Sequence, residues 1–158
     1  MPAGIESLRE ALELMQIEQY NVIRTTLMGA LADGLRKVGR LREALAMVDD
    51  AIARSIDTGA EFDVPELLRI KAEILAARED HKAARSCLKD SIAKAQAQQA
   101  LSLELRSAMT LTGLLRREAS LPKLADAWQA YSNVSRKVSR LRISASRVGS
   151  LKSCAHSF

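Results

Sequence analysis

A spacing of forty residues runs through this chain and constrains its fold more than any other feature. Small or medium residues recur at Ala32, Ala72 and Thr112, and leucines at Leu35, Leu75 and Leu115. A second set gives Ala44, Ala84 and Leu124, then Val48, Leu88 and Trp128, then Ala51, Ser91 and Tyr131. Within each set, neighbours stand three or four residues apart, the period of a helix face. A long fixed period carried by helical sub-patterns predicts an array of helical hairpins, each burying its apolar face against the next. The clearest unit is residues 28–51. Two amphipathic stretches there flank Val38, Gly39 and Arg40, and Gly39 is free to take the positive φ that ends a helix.

The register organises the rest of the chain. Residues 3–18 place Ile5, Leu8, Leu12 and Met15 on one helical face. One period back from the central unit, Gly4, Leu8 and Ala11 stand where Ala44, Val48 and Ala51 lie. This helix is therefore expected to be the second half of a hairpin, and the chain a piece of a longer protein. A half repeat leaves an apolar face uncovered, which predicts self-association through it unless something caps it. Residues 21–37 follow, with Ile23, Leu27, Leu31 and Leu35 on the face and Gly29 and Gly34 within. A mid-helix glycine costs about 1 kcal/mol against alanine, and close helix approach is the expected compensation at both. Residues 41–56 make the partner helix, and residues 57–60 link it to the next unit.

Asp63, Pro65 and Glu66 then form a capping-box pattern for a helix running to about Arg78, with Leu68, Ala72 and Leu75 inside. Asp80 is a good N-cap for a helix over 81–97 that buries Ala84, Leu88 and Ile92. Ser102 is placed to cap a helix from Leu103 to about Arg117, burying Ala108, Leu111 and Leu115. Ser120 and Pro122 turn the chain into a last helix carrying Leu124, Trp128 and Tyr131. The expectation is an all-α superhelix of about seven helices in antiparallel hairpins. It comprises a repeat domain over 3–131 (half repeat 3–18, repeats 21–57, 63–97 and 102–131) and a Ser-rich tail over 132–158.

Composition agrees with helices and narrows the chemistry. Of the 158 residues, 47% are hydrophobic but only 3% aromatic, so the core must be aliphatic. The net charge of +5 is not spread evenly. Residues 1–131 carry 18 basic and 19 acidic side chains, whereas the tail carries six basic and no acidic ones. The body is thus near neutral, and the basic balance does not point the whole domain at nucleic acid. Cys87 and Cys154 make neither a disulfide framework nor a zinc site, and Cys87 reads as a buried thiol. With no apolar run near the length of a membrane span, a reducing, cytoplasmic setting is expected.

The alternation of small and larger apolar residues, with Ala32, Ala72, Ala44 and Ala84 at the close contacts, resembles the tetratricopeptide repeat, whose usual period is 34. The longer period here is expected to reflect longer linkers after each hairpin. Residues 31–80 and 82–118 look like the C-terminal tetratricopeptide region of bacterial adenylate/guanylate cyclase-like signalling ATPases and ATPase-linked transcriptional regulators. The stretches 65–73 (PELLRIKAE) and 104–108 (ELRSA) are the most recognisable. Ala72 stands where that family tends to have glycine, and the basic tail replaces its aromatic and acidic ending. The resemblance implies a non-catalytic protein–protein interaction or scaffold module in signalling, with no cofactor of its own.

The residues themselves lead the same way. His81 has no partner carboxylate or cysteine cluster near it and is expected to be solvated, and Asp49 and Asp50 are adjacent on a helix and splay apart. No Gly-rich phosphate loop occurs, so neither enzyme activity nor a metal or cofactor site is expected. In stacked hairpins the first helix of each pair lines a groove. Its polar positions here are Thr26, Asp33 and Arg36, then Glu66, Arg69 and Glu73, then Arg106, Met109 and Arg116. Alternating in sign, they suit a protein or peptide partner, or another domain of a parent chain, held by charge-assisted hydrogen bonds. The alternative is a nucleic-acid-associated transcriptional regulator whose basic tail neutralises phosphates. That reading is weakened by the absence of interleaved aromatics.

Overall fold

A computed structural model describes residues 2–14, 21–117 and 132–133 of the chain. Among these residues the fold is all-α. The helices are α1 (Pro2–Leu14), α2 (Asn21–Lys37), α3 (Leu41–Asp57), α4 (Val64–Ala77), α5 (His81–Ala97) and α6 (Leu101–Arg117), with a 3-10 turn at Glu61–Asp63 before α4. Each helix packs on its neighbours in sequence; α2 also packs on α4 and α4 on α6, while the backbones of α3 and α5 stay apart. The even-numbered helices therefore form one continuous row, and α3 and α5 stand behind it. The expected last helix with Leu124, Trp128 and Tyr131, the turn at Ser120 and the tail beyond 133 lie outside the described residues.

The forty-residue register is visible in the packing. Helix α3 buries Ala44, Val48, Ala51 and Ser55; α5 buries Ala84, Leu88, Ser91 and Ala95, the same positions one period on. Ala32, Ala72, Leu35, Leu75 and Leu115 are buried in the row. Thr112, where alanine stood before, is half-buried, and its hydroxyl donates to the Ala108 carbonyl at 2.8 Å. In α1, Ile5 is buried against the cluster of Leu31, Leu35 and Val48, with Leu8 and Leu12 partly covered.

A twenty-residue period underlies the forty. Helices α2 to α6 end at residues 37, 57, 77, 97 and 117. Positive φ follows at Gly39, Gly59, Glu79 and Gln99. At Gly39 the closing bonds run from the Arg40 amide to the Leu35 carbonyl (2.9 Å) and from the Gly39 amide to Arg36 (3.0 Å). The same pair recurs at Asp80 to Leu75 with Glu79 to Ala76, and at Ala100 to Ala95 with Gln99 to Gln96. These are Schellman closures, which satisfy carbonyls that a helix end leaves open. Little of the extra length of the repeat is in the linkers. Residues 38–40, 78–80 and 98–100 are three-residue connectors, 58–63 is a six-residue one that includes the 3-10 turn, and α3, α5 and α6 each reach 17 residues.

Several local expectations change for physical reasons. Asp63 does not cap α4; it is buried, accepting from Thr25 Oγ1 at 2.5 Å and Ser55 Oγ at 2.9 Å, and so ties α2 and α3 to the start of α4. Glu66 is drawn away from any capping role by arginines. Ser102 is not a cap, because α6 already begins at Leu101. Leu67 rather than Leu68 is fully buried, Ile92 is only half-covered, and Ile23 is 48% exposed. Asp80 does cap α5, accepting from the Ala83 amide at 3.1 Å. Further along, Ser91 donates to the Pro65 carbonyl at 2.6 Å. Its one proton being so used, Ser107 must donate across the 2.7 Å contact to Ser91. Glu104, also buried, accepts from Gln96 at 2.6 Å. Each junction between hairpins thus carries a buried, hydrogen-bonded polar group, and sliding one helix past the next would strand it.

Candidate functional site

The row of α2, α4 and α6 gathers most of the residues nominated from sequence. Asp33 and Arg36 sit one turn apart on α2, Glu66, Arg69 and Glu73 follow the same logic on α4, and Arg106 begins the matching stripe on α6. Arg36 meets Asp33 at 2.7 Å and reaches across to Glu73 at 3.3 Å. Arg69 holds Glu73 at 2.6 Å and grips both oxygens of Glu66 at 2.8 and 3.0 Å. Arg106 completes the line on Glu66 at 3.1 Å, and Lys37 closes its other end on Asp33 at 2.7 Å. The result is an unbroken ladder of alternating charge across three helices.

This ladder changes what the alternation of sign means. Each of the three carboxylates is shared between two cations, so the charges are committed to one another before any partner arrives. Arg69 is the centre: its side chain is only 13% exposed, and although burial by itself works against its charge, the hydrogen bonds it donates to Glu66 and the negative charges of Glu66, Glu73 and Asp33 together outweigh this and raise its pKa. On Asp33, burial alone would raise the carboxyl's pKa. The hydrogen bonds from Lys37 and Arg36 overcome it and hold the group below its usual value. Pairs open to solvent contribute about 0–1 kcal/mol each, and these are only partly shielded from it. Their stronger effect here is to fix the orientation of α2, α4 and α6.

Beside the ladder lies an open hollow of about 400 Å³. Its α4 wall is Ala72, Glu73, Ala76 and Ala77, and its α6 wall is Thr110, Gly113, Leu114 and Arg117. Leu88 of α5 closes the floor, and Arg36 stands at the α2 side. The hollow exists because alanine and glycine occupy the positions where a larger side chain would fill it. Nothing approaches within 4 Å of where a Cβ on Gly113 would stand.

Three nominated residues fall off this line. Met109 is 57% exposed and, like Arg116, lies to the side of the stripe formed by Arg106, Thr110, Gly113 and Arg117 at helical spacing. Arg117, one residue on from the nominated Arg116, lines the hollow instead. The signal that could have found it is the i, i+4, i+7, i+11 spacing from Arg106. Thr26 is exposed on α2.

Elsewhere the described residues offer little for catalysis. Among them, no three His, Cys, Asp or Glu side chains are placed to hold a metal. His81 is half-buried rather than solvated, and its Nδ1 has no hydrogen-bond partner in the structure. Cys87 is half-buried, and burial pushes its thiol pKa up, away from the reactive thiolate. The exposed positions of α1 are Ala3, Gly4, Glu6, Ser7, Glu10 and Glu13, so its described outer side carries three carboxylates and no large apolar side chain. No described helix is long and apolar enough to cross a membrane. Comparison with known proteins gives no matching family model, no matching curated protein and no matching solved structure.

Proposed function

We propose that this chain is a non-catalytic interaction module that receives a peptide segment of a partner, or of a parent chain, along the row of α2, α4 and α6. The observation that carries the reading is the hollow itself. It is walled by small side chains, flanked by a pre-oriented ladder of charges, and built on the continuous row of α2, α4 and α6 over Leu88 of α5. Rigid placement of recognition groups lowers the ordering cost that a partner would otherwise meet on binding. The resemblance of the repeat pattern to the tetratricopeptide region of bacterial signalling ATPases supports a scaffold role in cytoplasmic signal transduction, without enzyme activity of its own.

The test fills the hollow. Gly113→Leu places a side chain in open space on a helix, so helicity and thermal stability should be kept. Short random peptides selected on the wild-type chain should bind the variant at least tenfold more weakly. If peptides bind the filled variant equally well, or the wild-type chain selects none, the interaction reading of this row fails. The nucleic-acid alternative rests on the basic tail at 132–158. Salt-sensitive binding to duplex DNA that disappears on removing that tail would favour it.

A further inference from the structure

We infer that the segment received in the hollow is acidic, its carboxylate meeting Arg117. This rests on the interaction reading above and deepens it. Asp33 is held by Arg36 and Lys37, Glu73 by Arg36 and Arg69, and Glu66 by Arg69 and Arg106. Glu104, the remaining carboxylate on these helices, is buried and accepts from Gln96, so no exposed carboxylate on the row is left to attract a cationic partner. Arg117 is different: it lines the hollow, is exposed, and has no ion pair among the described residues. Arg106, at the other end of the same α6 stripe, has a single contact and a side chain 57% exposed. The charge left over for a partner is therefore positive.

The walls say what else the segment carries. Ala72, Ala76, Ala77 and Gly113 leave room for small or medium apolar side chains over Leu88, between the Arg36–Glu73 pair on one side and Arg117 on the other. A short extended or helical segment with an acidic residue beside small apolar ones matches both features. A polyphosphate backbone matches neither: it would meet the Glu73 carboxylate in the wall, and the apolar walls would go unused. Charge-assisted hydrogen bonds from an arginine fork are about twice as strong as neutral ones, so the carboxylate would contribute specificity as well as affinity.

The experiment selects short random peptides on the full chain and on Arg117→Gln, an exposed substitution that leaves the ladder untouched. Wild type should enrich peptides with Asp or Glu next to Ala, Val or Leu. Arg117→Gln should lose the acidic enrichment and bind the best wild-type peptide about tenfold more weakly, roughly one charge-assisted hydrogen bond. Replacing that peptide's acidic residue by its amide should cost wild type the same factor and the variant little. If the wild-type chain enriches neutral or basic peptides that Gly113→Leu rejects, the acidic assignment is overturned while the interaction reading stands. If acidic enrichment survives in Arg117→Gln, or a duplex DNA displaces the selected peptides at moderate salt, Arg117 serves another purpose and the inference is overturned.

Discussion

At Gly29, α2 meets α4 so closely that a Cβ would lie 2.8 Å from Leu67 Cδ2 and 3.4 Å from Ile70 Cδ1. At Gly34 a Cβ would lie 3.5 Å from Ile5 Cγ1, an ordinary contact. The same sequence signal, a glycine inside a helix, therefore has two causes, and the sequence reading of close approach holds for Gly29 alone. Gly34→Ala should stabilise the protein by about 1 kcal/mol through helix propensity. Gly29→Ala gains the same propensity but must displace a fully buried leucine, an overpacking cost of about 1–3 kcal/mol, so its net effect is zero to destabilising. Urea unfolding of the two variants side by side checks this; equal stabilisation by both would show that Leu67 yields freely. Buried polar residues were harder to read than apolar ones for a related reason. Ala44 and Ala84 announce themselves by size and period. Asp63 fits a capping box by spacing, yet its partners Thr25 and Ser55 belong to other helices, 38 and 8 residues away. Local sequence carries no record of such a partner.

At the scale of the element, the helices were legible because each repeats an apolar face, and the turns were legible only in part. Gly39 and Gly59 mark two of the four positive-φ positions; Glu79 and Gln99 hold the same conformation without the residue that makes it cheap. A left-handed conformation costs a non-glycine residue about 1 kcal/mol or more, and here the Schellman bonds on either side hold it in place. No atom lies within 4 Å of a Cβ built on Gly39, so the cost of a side chain there is conformational and not a clash. Gly39→Ala should thus destabilise by about 1 kcal/mol. Glu79→Gly and Gln99→Gly should each stabilise by roughly 0.5 kcal/mol, strain relief less the added freedom of the unfolded chain. Denaturation midpoints of the three variants test the pattern; destabilisation by both new glycines would mean that the native turns bear no strain. The twenty-residue spacing from Gly39 to Gly59 was the available clue to the other two. A capping aspartate at position 80 and a polar run at 96–100 masked it, since both also suit a longer linker.

Across the whole molecule, the ladder is the feature that local pattern could not decide. Alternating signs on one helix face suit solvent, a partner or a neighbouring helix equally well, and only the spacing of α2, α4 and α6 assigns Arg36 to Glu73 and Arg106 to Glu66. Because the ladder crosses three helices, its protonation bears on how the row holds together, and Asp33 is where this can be measured. Its carboxyl is held below its usual value: burial opposes ionisation, and the hydrogen bonds from Lys37 and Arg36 more than offset it. A carboxyl whose pKa is lowered by folding adds stability that is fully present above its unfolded pKa, near 4, and is lost as pH falls through the lower folded value. Asp33→Asn removes that contribution at every pH. The stability difference between wild type and Asp33→Asn should therefore be constant from about pH 5 upward and shrink as the pH falls below about 4. Half-exposure and salt screening keep the difference modest, of order 1 kcal/mol or less. Urea titrations of both proteins at neutral and acid pH measure it directly. A difference that grows toward acid would mean that Asp33 is stabilised by protonation, and would remove the carboxylate from the ladder at its α2 end.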